Sequence, residues 1–236
     1  MTLCPSQRGI IRWFCEYDRH ILAQMTRDVW LRVLAYTAVG VALFPLSEWL
    51  ATQPFGTGVL LIGQSLFLIP AALVLLCSPV ILLALCFQGS RRNACRLLWY
   101  GVAGLVVAWC GIRLGGLARM AGMRDFAQRS EPLINAIKQF EADRGESPHG
   151  LGELVPKYLA APPATGMAAY PEYRYHRRGD ENDYFLRGNR WALSVFTPRG
   201  LLLNFDMMIY LPDQDYPQQA YGGTLERVGA WAYVHE

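Results

Sequence analysis

The side chains best able to do chemistry in this sequence are scattered. The four histidines, His20, His149, His176 and His235, lie far apart, and none stands beside a partner that would make it a base or a metal ligand. No phosphate-cradling G-x-x-x-x-G-K-[ST], nucleophile elbow G-x-S-x-G or zinc-binding H-E-x-x-H is present. The six cysteines (Cys4, Cys15, Cys77, Cys86, Cys95, Cys110) all precede residue 117 and show no C-x-x-C or Cys/His spacing. They read as free thiols, and neither zinc nor a disulfide framework is expected. Arg178-Gly179-Asp180 falls in a turn cluster whose chemistry explains its glycine and aspartate. Asp206, Asp213 and Asp215 are the nearest thing to an acidic group, and Asp-rich loops beside Pro and Tyr are ordinarily solvated turns. The expectation is a protein without catalytic residues or a cofactor.

The elements around these residues divide into two kinds. Residues 29–116 hold only six charged side chains (Arg32, Glu48, Arg91, Arg92, Arg96, Arg113), whereas the remainder is as polar as a water-soluble domain. Residues 1–116 carry a net charge of +5 and residues 117–236 a net charge of −2. Neither half supplies the concentrated basic face that nucleic acid requires. Three membrane spans are expected at about 29–50, 65–87 and 97–115. Trp30 and Trp49 are nineteen positions apart, about 28 Å of helix rise, which matches the hydrocarbon thickness. Pro70 and Pro79 should kink the second span or mark its start. Before the first span, residues 1–28 read as a cytoplasmic amphipathic segment.

Arginine counting sets the topology. With the N-terminus inside, the inner flanks hold Arg8, Arg12, Arg19, Arg27, Arg91, Arg92 and Arg96, and the outer flanks only Arg119, Arg124 and Arg129. This favours a cytoplasmic N-terminus and an external C-terminal domain. On the third span Gly104 with Ala108, and Gly111 with Gly115, form small-xxx-small pairs that allow close helix approach in lipid.

From residue 117 the helix turns amphipathic, with Phe126, Leu133, Ile134, Ile137 and Phe140 near one face. Ser130 as a cap and Pro132 in a first turn predict a restart near 130, and Gly145 with Pro148 an end. Period-two runs follow: YRYHR, DYFLR, WALSVFT, LLLNF, MMIYL and VGAWAYVH, with a Gly-Gly turn and a polar step before the last. Residues 117–236 are therefore expected to form an α+β domain, an amphipathic helix on an antiparallel sheet of four or more strands, with thirteen aromatics between Tyr170 and Tyr233 supplying much of its core.

The motif Phe140-x-x-Asp143-x-Gly145, then Pro148, then Leu151-x-x-Leu154-Val155-Pro156-x-Tyr158-Leu159, preceded by an apolar helix, resembles the soluble domain of type II secretion major pseudopilins and related pilin-like proteins over residues 97 to about 190. The resemblance implies a pilin-like domain on the periplasmic side of a bacterial inner membrane. It also implies calcium near the C-terminal loops, where Asp206, Asp213 and Asp215 could supply part of the six to eight oxygens that this ion takes. The processing motif of that family, Gly-Phe-Thr-Leu-x-Glu, is missing and two spans precede the third, so processing and extrusion into a fibre are not expected. The function expected is protein–protein contact by a membrane-anchored domain, within an envelope or secretion assembly. Alternatives are an immunity protein that neutralises a toxin acting from the periplasm, and a membrane-bound hydrolase or transporter subunit.

Overall fold

The computed structural model describes residues 27–87, 89–179, 183–199 and 205–235. The expected segment before residue 27, most of LLLNF and Asp180 lie outside the described residues. The chain forms two compact units, one of residues 1–43 and 66–112, the other of residues 44–65 and 113–236. Four of its helices are α1 (Arg27–Ala51), α2 (Val59–Leu76), α3 (Ser78–Ala84) and α4 (Arg91–Arg129). Val29–Ala51, Val59–Leu76 and the helical run from Arg91 are each long and apolar enough to cross a membrane.

In the first unit the usual arrangement of side-chain sizes is inverted. Leu31, Leu34, Val39, Leu73, Leu76, Leu105 and Trp109 point outward, and Val33, Ala71, Ala103 and Val107 are buried. A Cβ on Gly104 would collide with Ala71, and one on Gly101 would meet Val74 at 2.9 Å. Tyr36 stacks on Phe67 at 4.7 Å and donates to its carbonyl oxygen (3.3 Å). This inversion is the pattern expected of helices in lipid, where there is little hydrophobic drive between them and small residues that let backbones approach replace large ones at the contact. The second apolar helix starts earlier than the expected Ser65 because Thr57 Oγ1 accepts the Val59 N–H (3.2 Å) and opens it. Pro70 is carried inside α2, while Pro79 sits in the first turn of the separate helix α3, where its missing N–H loses no bond.

In the second unit α4 ends at Arg129 and α5 (Glu131–Arg144) restarts at once. Ser130 occupies the cap position but does not cap. Its hydroxyl donates to the Ala127 carbonyl (2.7 Å) and accepts the Trp231 indole N–H (2.7 Å), so it ties the helix junction to the sheet. Gly145, at φ 75°, turns the chain out of α5. A 3-10 turn at Leu151–Leu154 leads to the sheet.

Six strands, β1 (Arg174–Arg177), β2 (Trp191–Phe196), β3 (Met207–Tyr210), β4 (Gln219–Ala220), β5 (Gly223–Val228) and β6 (Trp231–His235), form one antiparallel sheet in the order β1-β2-β3-β6-β5-β4. Alternation sends Trp191, Leu193 and Val195, Met208 and Tyr210, and Trp231 and Tyr233 into a core with Phe126, Ile134, Ile137 and Phe140. Ala192, Ile209, Leu211, Ala232 and Val234 form a thinner core on the other face with Leu186. Two expectations fail locally. DYFLR is a 3-10 turn at Asp183–Phe185, because Arg187 and Gly188 at φ 46° and 88° reverse the chain too soon for a strand. The polar step TLERV is itself a strand, paired with β6 from Thr224 opposite His235 to Val228 opposite Trp231.

The division at residue 116 also shifts. The sheet unit takes in residues 44–65, the end of α1, the short loop and the start of α2. Ala51 and Leu61 belong to the aromatic core. The loop carbonyls need donors: Ala51 O accepts from the Ala169 N–H (3.2 Å), Gln53 O from Ala168 (3.1 Å) and Thr52 O from Arg129 Nη2 (2.9 Å). Gly122 makes this approach possible, since any Cβ there would strike Thr52.

A buried ion network as the candidate functional site

The polar centre of the sheet unit is Arg119, whose side chain is 0% exposed. The last turn of α1 supplies Glu48, the segment before β3 supplies Asp206, β6 supplies Tyr233, and Tyr170 and the end of β2 close the ring. Arg119 Nη1 donates to Glu48 Oε2 (3.0 Å) and Tyr170 Oη (3.2 Å), Nε to Tyr233 Oη (3.0 Å), and Nη2 to the Thr197 carbonyl oxygen. Asp206 Oδ2 is 4.0 Å from Arg119 Nη2 and 3.6 Å from Arg199 Nε, and it accepts the Tyr233 hydroxyl. Inward from Glu48, Gln64 Nε2 donates to Glu48 Oε1 (3.3 Å) and Ser47 Oγ donates to Gln64 Oε1 (2.6 Å).

Arg119, Glu48 and Asp206 therefore meet in a space almost closed to water, and Arg199, about a third exposed, brings a second guanidinium to Asp206 from the edge. Dehydrating each ion costs several kcal/mol, and only the attraction among these groups and their hydrogen bonds offsets it. Burial pushes the Tyr233 phenol up to about 12, against the pull of Arg119. Burial likewise raises Tyr170, whose hydroxyl donates to the Pro198 carbonyl (2.9 Å). A guanidinium keeps its proton in proteins, so a proton relay from Ser47 to Asp206 would stop at Arg119. The arrangement is suited to holding elements together.

The three described histidines are placed apart. His149 lies against Arg177 at the surface, and His235 Nε2 is 4.0 Å from Glu226. His176 Nε2 is 2.9 Å from Ser194 Oγ and its ring stacks on Phe185 at 4.5 Å. A Ser–His pair has the elements of a nucleophile and its base. Ser194 is buried within the sheet, however, and the contact ties β1 to β2.

Of the three aspartates, Asp206 belongs to the Arg119 network, while Asp213 and Asp215 are exposed between β3 and β4. Among the described residues no three His, Cys, Asp or Glu side chains form a group that could hold a metal. Gly104, Gly111 and Gly115 are buried and Ala108 half-buried. Gly104 faces Ala71 in the first unit, and Gly115 faces Phe44 and Glu48 in the second.

The motif from Phe140 to Leu159 forms a clasp at the end of α5. Phe140 and Leu154 are in the core, Tyr158 packs on Phe140 at 5.5 Å, and Leu151 and Leu159 pack against the same core. Gly145 turns the chain, Pro148 is buried, and the Val155–Pro156 bond is cis. Asp143 accepts from Lys157 Nζ (2.8 Å) and the Tyr158 hydroxyl (2.9 Å), which hold its carboxyl below the usual range.

Sequence reasoning counted Glu48 only among the six charges of the apolar region and Arg119 only as an outer-flank charge. The available signal was an acid inside an apolar run, which needs a cation somewhere in the fold. The chain matches no protein-family model, no curated protein and no solved structure.

Proposed function

We propose that the chain is a multi-pass protein of a bacterial inner membrane, with its N-terminus in the cytoplasm and a pilin-like α+β unit in the periplasm. This unit works by protein–protein contact. The observation that carries the reading is the use made of the charges. The three apolar helices turn large hydrophobic side chains outward, and the deepest ions of the sheet unit, Arg119, Glu48 and Asp206, are taken up by one another. Two of the three arginines on the outer flank have folding roles, Arg119 in the network and Arg129 on the loop carbonyls, which accounts for their presence there despite the inward bias of basic residues. The clasp from Phe140 to Leu159 supports the pilin-like shape.

Alkaline phosphatase and a cytosol-only fluorescent reporter, each fused after Glu236, test the topology. An active phosphatase and a dark fluorophore are expected, and the reverse pattern rejects the orientation. Alanine variants of His176, Asp206, Asp213, Asp215 and His235 test the non-enzymatic reading. Loss of a turnover activity in a variant that remains folded would replace it with an enzyme.

A further inference from the structure

One end of the sheet carries surface that neither core nor ion network uses. Contacts with the helices give its direction. At the start of β2, Trp191 Nε1 bonds Glu141 in α5 (2.9 Å), whereas just past its end the Thr197 carbonyl takes its bond from Arg119 in α4. Just before β3, Asp206 faces Arg119, and at its end Tyr210 lies under Lys138 at 6.0 Å. The end of β2 and the start of β3 therefore lie at the Arg119 end of the sheet. Gly115, the last residue of the apolar stretch of α4, is four positions from Arg119, about 6 Å of helix rise. The Arg199 guanidinium lies 3.9 Å from where a Cβ on Gly116 would be.

Phe196 and Phe205 flank this point and are 38% and 59% exposed. The Thr197 N–H bonds the Asp206 carbonyl (2.8 Å), and the Asp206 side chain faces Arg119. Alternation then puts Phe196 and Phe205 together on the opposite face. The Arg174 guanidinium sits over the Phe196 ring at 5.8 Å. Pro171, Glu172, Arg174, Phe196 and Pro198 border an open groove of about 230 Å³. Elsewhere in the same unit Phe55 in the loop, Val59 at the start of α2, and Leu114 and Leu117 on α4 are exposed.

The headgroup layer on each side of a bilayer is about 5–7 Å deep, which is the rise separating Arg119 from the end of the apolar stretch. Aromatic rings with an adjoining guanidinium suit that layer, the ring among the upper acyl carbons and the cation on a lipid phosphate. We propose that the β2–β3 end of the sheet is a lipid-contact surface, in which Phe196 and Phe205 enter the headgroup region and Arg174 meets phosphate. The inference rests on the reading that α4 crosses the bilayer.

The test uses the full chain in native membranes with a photo-crosslinking phenylalanine analogue at one position at a time. Probes at Phe196 and Phe205 should yield phospholipid adducts by mass, and a probe at Ala142, exposed near the end of α5, should yield none. A probe at Val106, exposed within the apolar stretch of α4, reports only on spanning. Lipid adducts at Val106, with protein adducts or none at Phe196 and Phe205, overturn the proposal and leave the spanning reading intact. No lipid at Val106 removes the spanning reading and this proposal with it. Equal lipid labelling at Ala142 and Phe205 also overturns the proposal.

Discussion

The two units solve the problem of burial in opposite ways, and helix α4 contributes to both. In residues 66–112 its inner positions are small, Gly101, Ala103 and Gly104, with the bulk turned outward. From residue 113 its inner positions are large or charged: Arg119, Met123 and Phe126 are fully buried. Where the surroundings are apolar, sequestering a leucine brings little and close backbone contact is what holds helices together. Where they are water, removing aromatic area from solvent drives folding at about 25 cal/mol per Å². An arginine can then be buried if the fold brings acids to it.

The sharpest way to break this contrast is Arg119→Met. It leaves Glu48 buried without its cation and Asp206 with Arg199 alone, and should cost the sheet unit about 3–5 kcal/mol. Denaturant unfolding in detergent, followed by aromatic near-UV signal, measures it. Arg119→Lys should recover only part, because one ammonium cannot reproduce the fork that reaches Glu48, Tyr170 and Tyr233. Next in size, Gly122→Leu should cost about 1–3 kcal/mol by driving the 52–58 loop off α4, seen as faster proteolysis of that loop. Gly104→Leu should instead disturb the first unit, where its Cβ would strike Ala71, and leave proteolysis of the 52–58 loop unchanged. Gly63→Leu, with nothing within 4 Å of its Cβ, should do neither.

Alkali should weaken the sheet unit. The Tyr233 phenol ionises at about 12 in the folded chain against an ordinary 10.0. A raised acid favours its neutral form, so its contribution is fully present below pH 10 and is lost as pH rises through about 12. Tyr233→Phe should flatten the fall in unfolding midpoint across that window. The smallest effect should come from Lys157→Ala. It removes an exposed partner of Asp143 and should leave the unfolding midpoint within error at neutral pH. The lowered Asp143 carboxyl contributes only above its ordinary pKa, and that contribution fades as pH falls through the folded value.

Much of the fold was legible because it depends on neighbours in the chain. Pro132 and Gly145 bracket α5, and period-two aromatics mark β2, β3 and β6. Local pattern misled where the chain departs from it. DYFLR alternates like a strand, yet Arg187 and Gly188 reverse it, and TLERV looks like a polar connection but is a paired strand with only Val228 in the core. Asp206 was noticed, but as a partner of Asp213 and Asp215, because adjacency in sequence was the only distance available.

Composition alone determined that three helices are apolar enough for a bilayer and that an aromatic α+β unit follows them, since solvent preference is a property of each residue. The tertiary structure decided that residues 44–65 belong with the sheet, and that Glu48 and Arg119, seventy-one positions apart, form one ion pair. A buried charge is tolerated only where the completed fold supplies its counter-charge and excludes water. That condition is met by the assembled chain and is written at no single position.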